Sequence, residues 1–142
     1  MKKKFFTTFF LLIFVNYGFS QNDQIKSLVE KTNYLNLNMW ELTDYAKMHI
    51  KDKNELAKFF YYWVGSNIEY DNELFEKILA KNITIQEFLE KQNEYDVYKN
   101  RKGVCAGYAN LFEWFMNEID MEAVVISGHI RDEINHYIEL ET

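Results

Sequence analysis

The residue with the clearest chemical potential is Cys105, the single cysteine of this 142-residue chain. A lone thiol cannot close an internal disulfide, so it is a buried small side chain, an intermolecular bridge or a reactive nucleophile. Composition alone favours the first. Cys105 stands at the predicted start of a helix, where unpaired backbone N–H groups and the helix dipole stabilise a thiolate. Position alone therefore leaves a nucleophile and an inert packed thiol as equal alternatives.

The neighbours of Cys105 are of the types that a nucleophilic thiol requires. Gly103 allows a sharp turn into the helix, and Gly107 removes a side chain near the sulfur, which leaves room for a substrate backbone. Arg101 and Lys102 add positive potential just upstream. These features favour a thiolate at neutral pH.

The elements that must position this segment are mostly helices. Helical spacing of apolar residues, with Asp52 and Thr84 as N-caps, predicts five helices before the cysteine and a sixth that contains it. They cover about 23–34, 39–50, 52–70, 73–80, 84–91 and 104–119. The polar stretch 93–102 has no period and is predicted to be a loop. Two strands at 122–127 and 135–141, joined by a turn over 128–134, complete an α+β pattern.

Two segments carry a resemblance to a known family. Arg101-Lys102-Gly103-Val104-Cys105-Ala106-Gly107-Tyr108-Ala109 resembles the cysteine segment of the transglutaminase-like superfamily. Tyr62-Trp63-Val64 through Asn67-Ile68-Glu69-Tyr70-Asp71 resembles the upstream signature of that family, and 122–128 resembles its first strand after the cysteine helix. The match extends over roughly 52–136, and the cysteine segment is its most specific part.

The resemblance implies a papain-like α+β core with a Cys-His-Asp triad. Cys105 would form a thioester and pass the acyl group of a protein or peptide amide to an amine or to water. His136 is the expected base, about 30 residues downstream. We expect Gly103, Gly107 and Trp63 to line the substrate site, with packing in the core as the alternative for Trp63. No cofactor is expected.

The C-terminal part of the sequence departs from the family pattern. The residues after His136 do not fit, and no aspartate matches the third member of the triad before Thr142. Three alternatives follow: a true histidine encoded further on, a truncated remnant, or a non-catalytic module that binds a partner. The predicted sheet is therefore a partial antiparallel one in an incomplete domain.

The N-terminus predicts export. Three lysines at 2–4 precede a mostly apolar run over 5–19, and Gly18 and Ser20 suit cleavage before Gln21. Residues 1–20 are thus a predicted signal peptide and 21–142 one domain, secreted or periplasmic and free of the membrane after cleavage. The mature net charge of about −9 argues against nucleic-acid binding. Three histidines and one cysteine show no metal-ligand spacing.

Overall fold

A computed structural model describes residues 21–126, 128, 130–131 and 137–138 of the chain. The described part is α+β, with helices predominating. The helices are α1 (Gln21–Thr32), α2 (Met39–His49), α3 (Lys53–Asn67), α4 (Asn72–Leu79), α5 (Ile85–Gln92), α6 (Glu94–Asn100) and α7 (Cys105–Glu118). The strands are β1 (Glu69–Tyr70), β2 (Lys102–Gly103), β3 (Ile130–Arg131) and β4 (Tyr137–Ile138).

Side-chain caps fix where most of the helices begin. Asp52 accepts a hydrogen bond from the N–H of Glu55, and Thr84 accepts one from the N–H of Glu87. These are the N-caps that the sequence predicts for α3 and α5. Asn38 caps α2 and also donates its own N–H to the Glu41 carboxylate, which completes a reciprocal capping box.

The core lies between α3 and α7, with α1, α2 and α6 packed around them. Phe60 and Phe115 stack with ring centroids 4.3 Å apart, and Phe59 meets Phe60 edge to face at 5.2 Å. All three rings are fully buried. The apolar face of α7 is therefore held against α3, and this contact sets the direction in which the N-terminus of α7 points.

The strand next to the cysteine helix differs from the sequence prediction. β1 and β2 pair in parallel, with Glu69 opposite Lys102 and Tyr70 opposite Gly103. The sheet beside the cysteine helix is therefore parallel and not the expected antiparallel one, and it uses segments that the sequence assigns to the end of a helix and to a loop. The three helices between β1 and β2 supply the crossover that a parallel pair needs. The short β3–β4 pair is antiparallel. β3 falls inside the span 128–134 that the sequence assigns to a turn.

Two other local predictions are wrong. The span 93–102, predicted as a loop, contains α6 and the first residue of β2, because Asn93 caps a helix of seven residues whose Val97 and Tyr98 enter the core. The predicted strand at 122–127 is absent from its described part, since residues 122–126 have irregular backbone with Val124 and Ile126 largely exposed. Within the described residues, no helix is long and apolar enough to cross a membrane.

Candidate active site

Cys105 is the first residue of α7, and its side chain is exposed. The N-cap residue Val104 offers no side-chain oxygen to the first turn. The free N–H groups of a helix N-terminus carry partial positive charge. The sequence prediction that Cys105 opens the helix is confirmed, and the thiol is open to a reagent or a substrate.

The missing N-cap is supplied by a residue that the sequence analysis did not single out. The side-chain oxygen Oε1 of Gln92, at the end of α5, accepts the N–H of Val104 at 2.9 Å and that of Gly107 at 3.1 Å. Gln92 is 2% exposed. Gln92 follows Phe88 by four residues, a position at which an amphipathic helix normally carries an apolar side chain. A polar amide at this apolar position was the sequence signal that could have identified Gln92.

Both glycines of the cysteine segment face this amide. A β-carbon on Gly107 would lie 2.5 Å from Oε1 of Gln92 and 2.7 Å from a methyl group of Val97. A β-carbon on Gly103 would lie 3.3 Å from Val97. Both glycines are buried. The space expected beside Gly107 for a substrate backbone is therefore filled by Gln92 and Val97, since the glycine faces inward.

The segment around β1 lies against the start of α7. The hydroxyl of Tyr108 donates to the carbonyl of Ile68 at 2.5 Å, and the N–H of Asp71 donates to the carbonyl of Gly103 at 3.0 Å. Burial, together with the neighbouring Cys105 and Tyr108, raises the pKa of Tyr70, so its phenol stays protonated at neutral pH. The structure thus brings the two motif segments of the sequence together at the thiol.

Trp63 lies in the core. It is 2% exposed and stacks on Tyr98 with ring centroids 5.1 Å apart. The guanidinium of Arg101 lies 4.0 Å from the ring centroid of Tyr98 and 4.6 Å from that of Trp63. Trp63 therefore has almost no surface to offer a substrate, and Arg101 turns its charge toward these rings rather than toward the thiol.

A polar cleft lies near β2 but does not include the thiol. Its volume is about 310 Å³. Charged residues dominate the lining, which consists of Asp71, Glu73, Leu74, Lys77, Lys91, Asn100 and Lys102. Lys77 and Lys91 are engaged by Glu73 and Glu87 at 2.7 and 2.8 Å. Cys105 is not part of the lining.

The proposed base falls outside the described residues. The structure does not describe His136 or residues 1–20, so the assignment of His136 as the base and the signal peptide both stay predictions. In the part of the chain that the structure describes, no three His, Cys, Asp or Glu side chains come together in a way that could hold a metal ion.

Comparison with known protein families identifies a match. The sequence model of a family described as "Transglutaminase-like domain" matches residues 41–136, which include most of α2, all of α3 to α7, and Cys105. No curated protein and no solved structure matches the chain.

Proposed function

Because the chain belongs to the transglutaminase-like domain family, we propose that it is a cysteine-dependent acyl-transfer enzyme that acts on protein or peptide amides. The observation that carries the proposal is the placement of Cys105. Its thiol is exposed at the first turn of a 14-residue helix, and the N–H groups of Val104 and Gly107 on either side of it are hydrogen-bonded to the buried side chain of Gln92. A nucleophile needs both access and a fixed orientation.

The proposed reaction has two halves. The Cys105 thiolate attacks the carbonyl carbon of the amide, a C–S bond forms, and the C–N bond breaks as the leaving amine or ammonia takes up a proton. Water or a second amine then attacks the thioester, forms the acid or the new amide, and releases the thiol. His136 is the proposed carrier of the proton in both halves.

The backbone at the start of α7 supports the charge that this reaction develops. In the described part of the chain, the N–H groups of Cys105 and Ala106 have no hydrogen-bond acceptor. Donors of this kind stabilise the oxyanion of a tetrahedral intermediate when they are fixed before the reaction begins. The neutral Tyr70 phenol is a further donor near the thiol.

The direct test is to incubate the protein with a glutamine-containing peptide and a fluorescent primary amine. We expect amine incorporation into the peptide or release of ammonia from it, and a covalent thioester at Cys105 by mass spectrometry. Cys105→Ala should abolish all three signals while its circular dichroism matches the wild type. Signals that persist in Cys105→Ala would assign the chemistry elsewhere.

A non-catalytic role is the second candidate. It is favoured by one observation in the sequence: Tyr137, Ile138 and Glu139, which follow His136, do not fit the family pattern. In that case Cys105 would still react with a small alkylating agent, but no amide would be turned over. The peptide assay therefore separates an enzyme from a module that only binds its partner.

We also propose that the protein is exported, with residues 1–20 as the cleaved signal. The support is the order of charge, apolar run and small residues in the sequence. Protein recovered from outside the cytoplasm should begin at Gln21 by N-terminal sequencing. A variant with Leu11 and Leu12 changed to Arg should stay inside the cell at full length. Full-length wild-type protein in the cytoplasm would contradict export.

A further inference from the structure

Gln92 is unlike the other buried polar residues of the described chain. Those residues, Thr32 and Thr43, donate to carbonyl groups of their own helices. Gln92 instead joins separate elements, because its Oε1 accepts N–H groups 12 and 15 residues further along. Its Nε2 donates to the carbonyl of Lys91 at 2.8 Å, so both ends of the amide are engaged.

A further hydrogen bond and two glycines reinforce the contact between Gln92 and α7. The side chain of Asn110, one turn further along α7, donates to the backbone carbonyl of Gln92 at 2.8 Å. Three hydrogen bonds therefore connect the end of α5 with the first turns of α7. The two glycines of the cysteine segment admit the amide, since a β-carbon on Gly107 would overlap its oxygen.

The amide also divides the N–H groups at the start of α7. Val104 is the N-cap, and the next three residues are the first three of the helix. Gln92 engages the N–H groups of Val104 and Gly107 from the inner side. Those of Cys105 and Ala106 are left without an acceptor in the described part of the chain.

We propose that Gln92 is a positioning residue for the Cys105 thiol, an inference that rests on the proposed function. Gln92 fixes the first turn of α7 through its hydrogen bonds to the N–H groups of Val104 and Gly107. The thiol and the N–H groups of Cys105 and Ala106 therefore keep a single orientation toward a substrate carbonyl. A neutral amide suits this position. An aspartate in place of Val104 could accept the N–H of Gly107 as an ordinary N-cap, but it would place a negative charge next to the thiolate and repel it.

The first test removes the acceptor while keeping the size of the side chain. In Gln92→Met, hydrogen exchange at the N–H groups of Val104 and Gly107 should become at least tenfold faster, and alkylation of Cys105 by iodoacetamide at pH 8 should slow about fivefold. Amide turnover should fall through kcat, with KM nearly unchanged. The matched control is Gln86→Met, on the exposed face of the same helix, which should change none of these quantities.

The second variant, Gln92→Glu, tests the effect of a negative charge at this position. It also keeps the proposal testable if Gln92→Met does not fold. Gln92→Glu keeps an acceptor for both N–H groups, so their hydrogen exchange should stay close to wild type. Alkylation at pH 8 should nevertheless slow about tenfold, because the new carboxylate lies beneath the thiolate. Gln86→Glu adds the same charge at an exposed site and should slow alkylation less than twofold.

The outcomes separate the two proposals. If the Gln92 variants fold and both alkylate within twofold of wild type, Gln92 only caps the helix and the positioning role is overturned. Alkylation depends on the thiol and not on substrate turnover. If alkylation falls as expected while the wild type shows no amide turnover, the positioning role stands and the acyl-transfer function fails.

Discussion

At Gly107 the space for a side chain is already occupied. A β-carbon there would meet both the Gln92 amide oxygen and Val97, and neither can move freely, because the amide is hydrogen-bonded and Val97 is fully buried. We expect Gly107→Ala to lower the free energy of unfolding by about 1–3 kcal/mol. Urea denaturation followed by circular dichroism measures the change.

The matched control for that substitution is Gly65→Ala. Gly65 lies in α3, and a β-carbon there would meet nothing within 4 Å. Alanine should therefore stabilise the protein by about 0.5–1 kcal/mol through helix propensity alone. Equal effects of the two alanines would show that the contact between Gly107 and Gln92 is not tight.

Tyr98 links stability to alkaline pH. Burial raises the pKa of Tyr98, with the nearby Arg101 acting in the opposite direction, and its hydroxyl donates to the carbonyl of Leu37 at 2.6 Å. Because the folded state holds this proton more tightly than the unfolded chain, the contribution to stability is complete below about pH 10. It is lost as the pH rises through the higher pKa of the folded state.

The measurement is urea unfolding at pH 7 and between pH 9 and 11. Tyr98→Phe should lose about 1 kcal/mol at pH 7 from the missing hydrogen bond, and its stability should fall less steeply above pH 10 than that of the wild type. Tyr61→Phe, at a site 66% exposed, is the control and should match the wild type at pH 7. Parallel curves for Tyr98→Phe and the wild type would contradict the link.

At the scale of elements, α7 depends on its contact with α3. Phe115 stacks on Phe60 at 4.3 Å, and both are fully buried. Phe115→Ala should cost about 3–5 kcal/mol, a large part of the stability of a small domain. Leu89→Ala, at a site 60% exposed, should stay within about 0.5 kcal/mol of wild type. Thermal unfolding compares the two, and a similar melting temperature for both would exclude α3–α7 packing as the main support of the site.

The elements that the sequence predicts are those in which a periodic apolar pattern covers many residues and a capping residue precedes it. α3 has both, since its buried apolar residues recur from Leu56 to Val64 and Asp52 precedes it. α6 has seven residues and buries only Val97 and Tyr98, which is too short a pattern to show a period. β1 and β2 contribute two residues each and pair in parallel, so neither alternation nor a turn marks them.

The part of the candidate site that lies in a sequence motif was predictable, and the part that depends on tertiary contacts was not. Cys105 was identified because a cysteine at a helix start beside glycines has known chemistry. Gln92 was missed because its partners, Val104 and Gly107, are distant in sequence and offer backbone groups, which have no residue type to recognise. The role of Gly107 was misread for the same reason, since the residue it faces becomes visible only in the folded chain.

For the whole molecule, the exposed Cys105 decides between a free thiol and a covalent dimer. It is the only cysteine of the chain, so any disulfide with a second copy must use it. The acyl-transfer proposal requires a free thiolate, because a sulfur in a disulfide cannot attack an amide. We therefore expect the purified protein to migrate as a monomer on a non-reducing gel and to react with one equivalent of a thiol reagent. A dimer that dithiothreitol reduces to monomers, and that Cys105→Ser does not form, would instead assign the cysteine to an intermolecular disulfide. The enzyme proposal would then survive only if the same sample regains amide turnover after reduction.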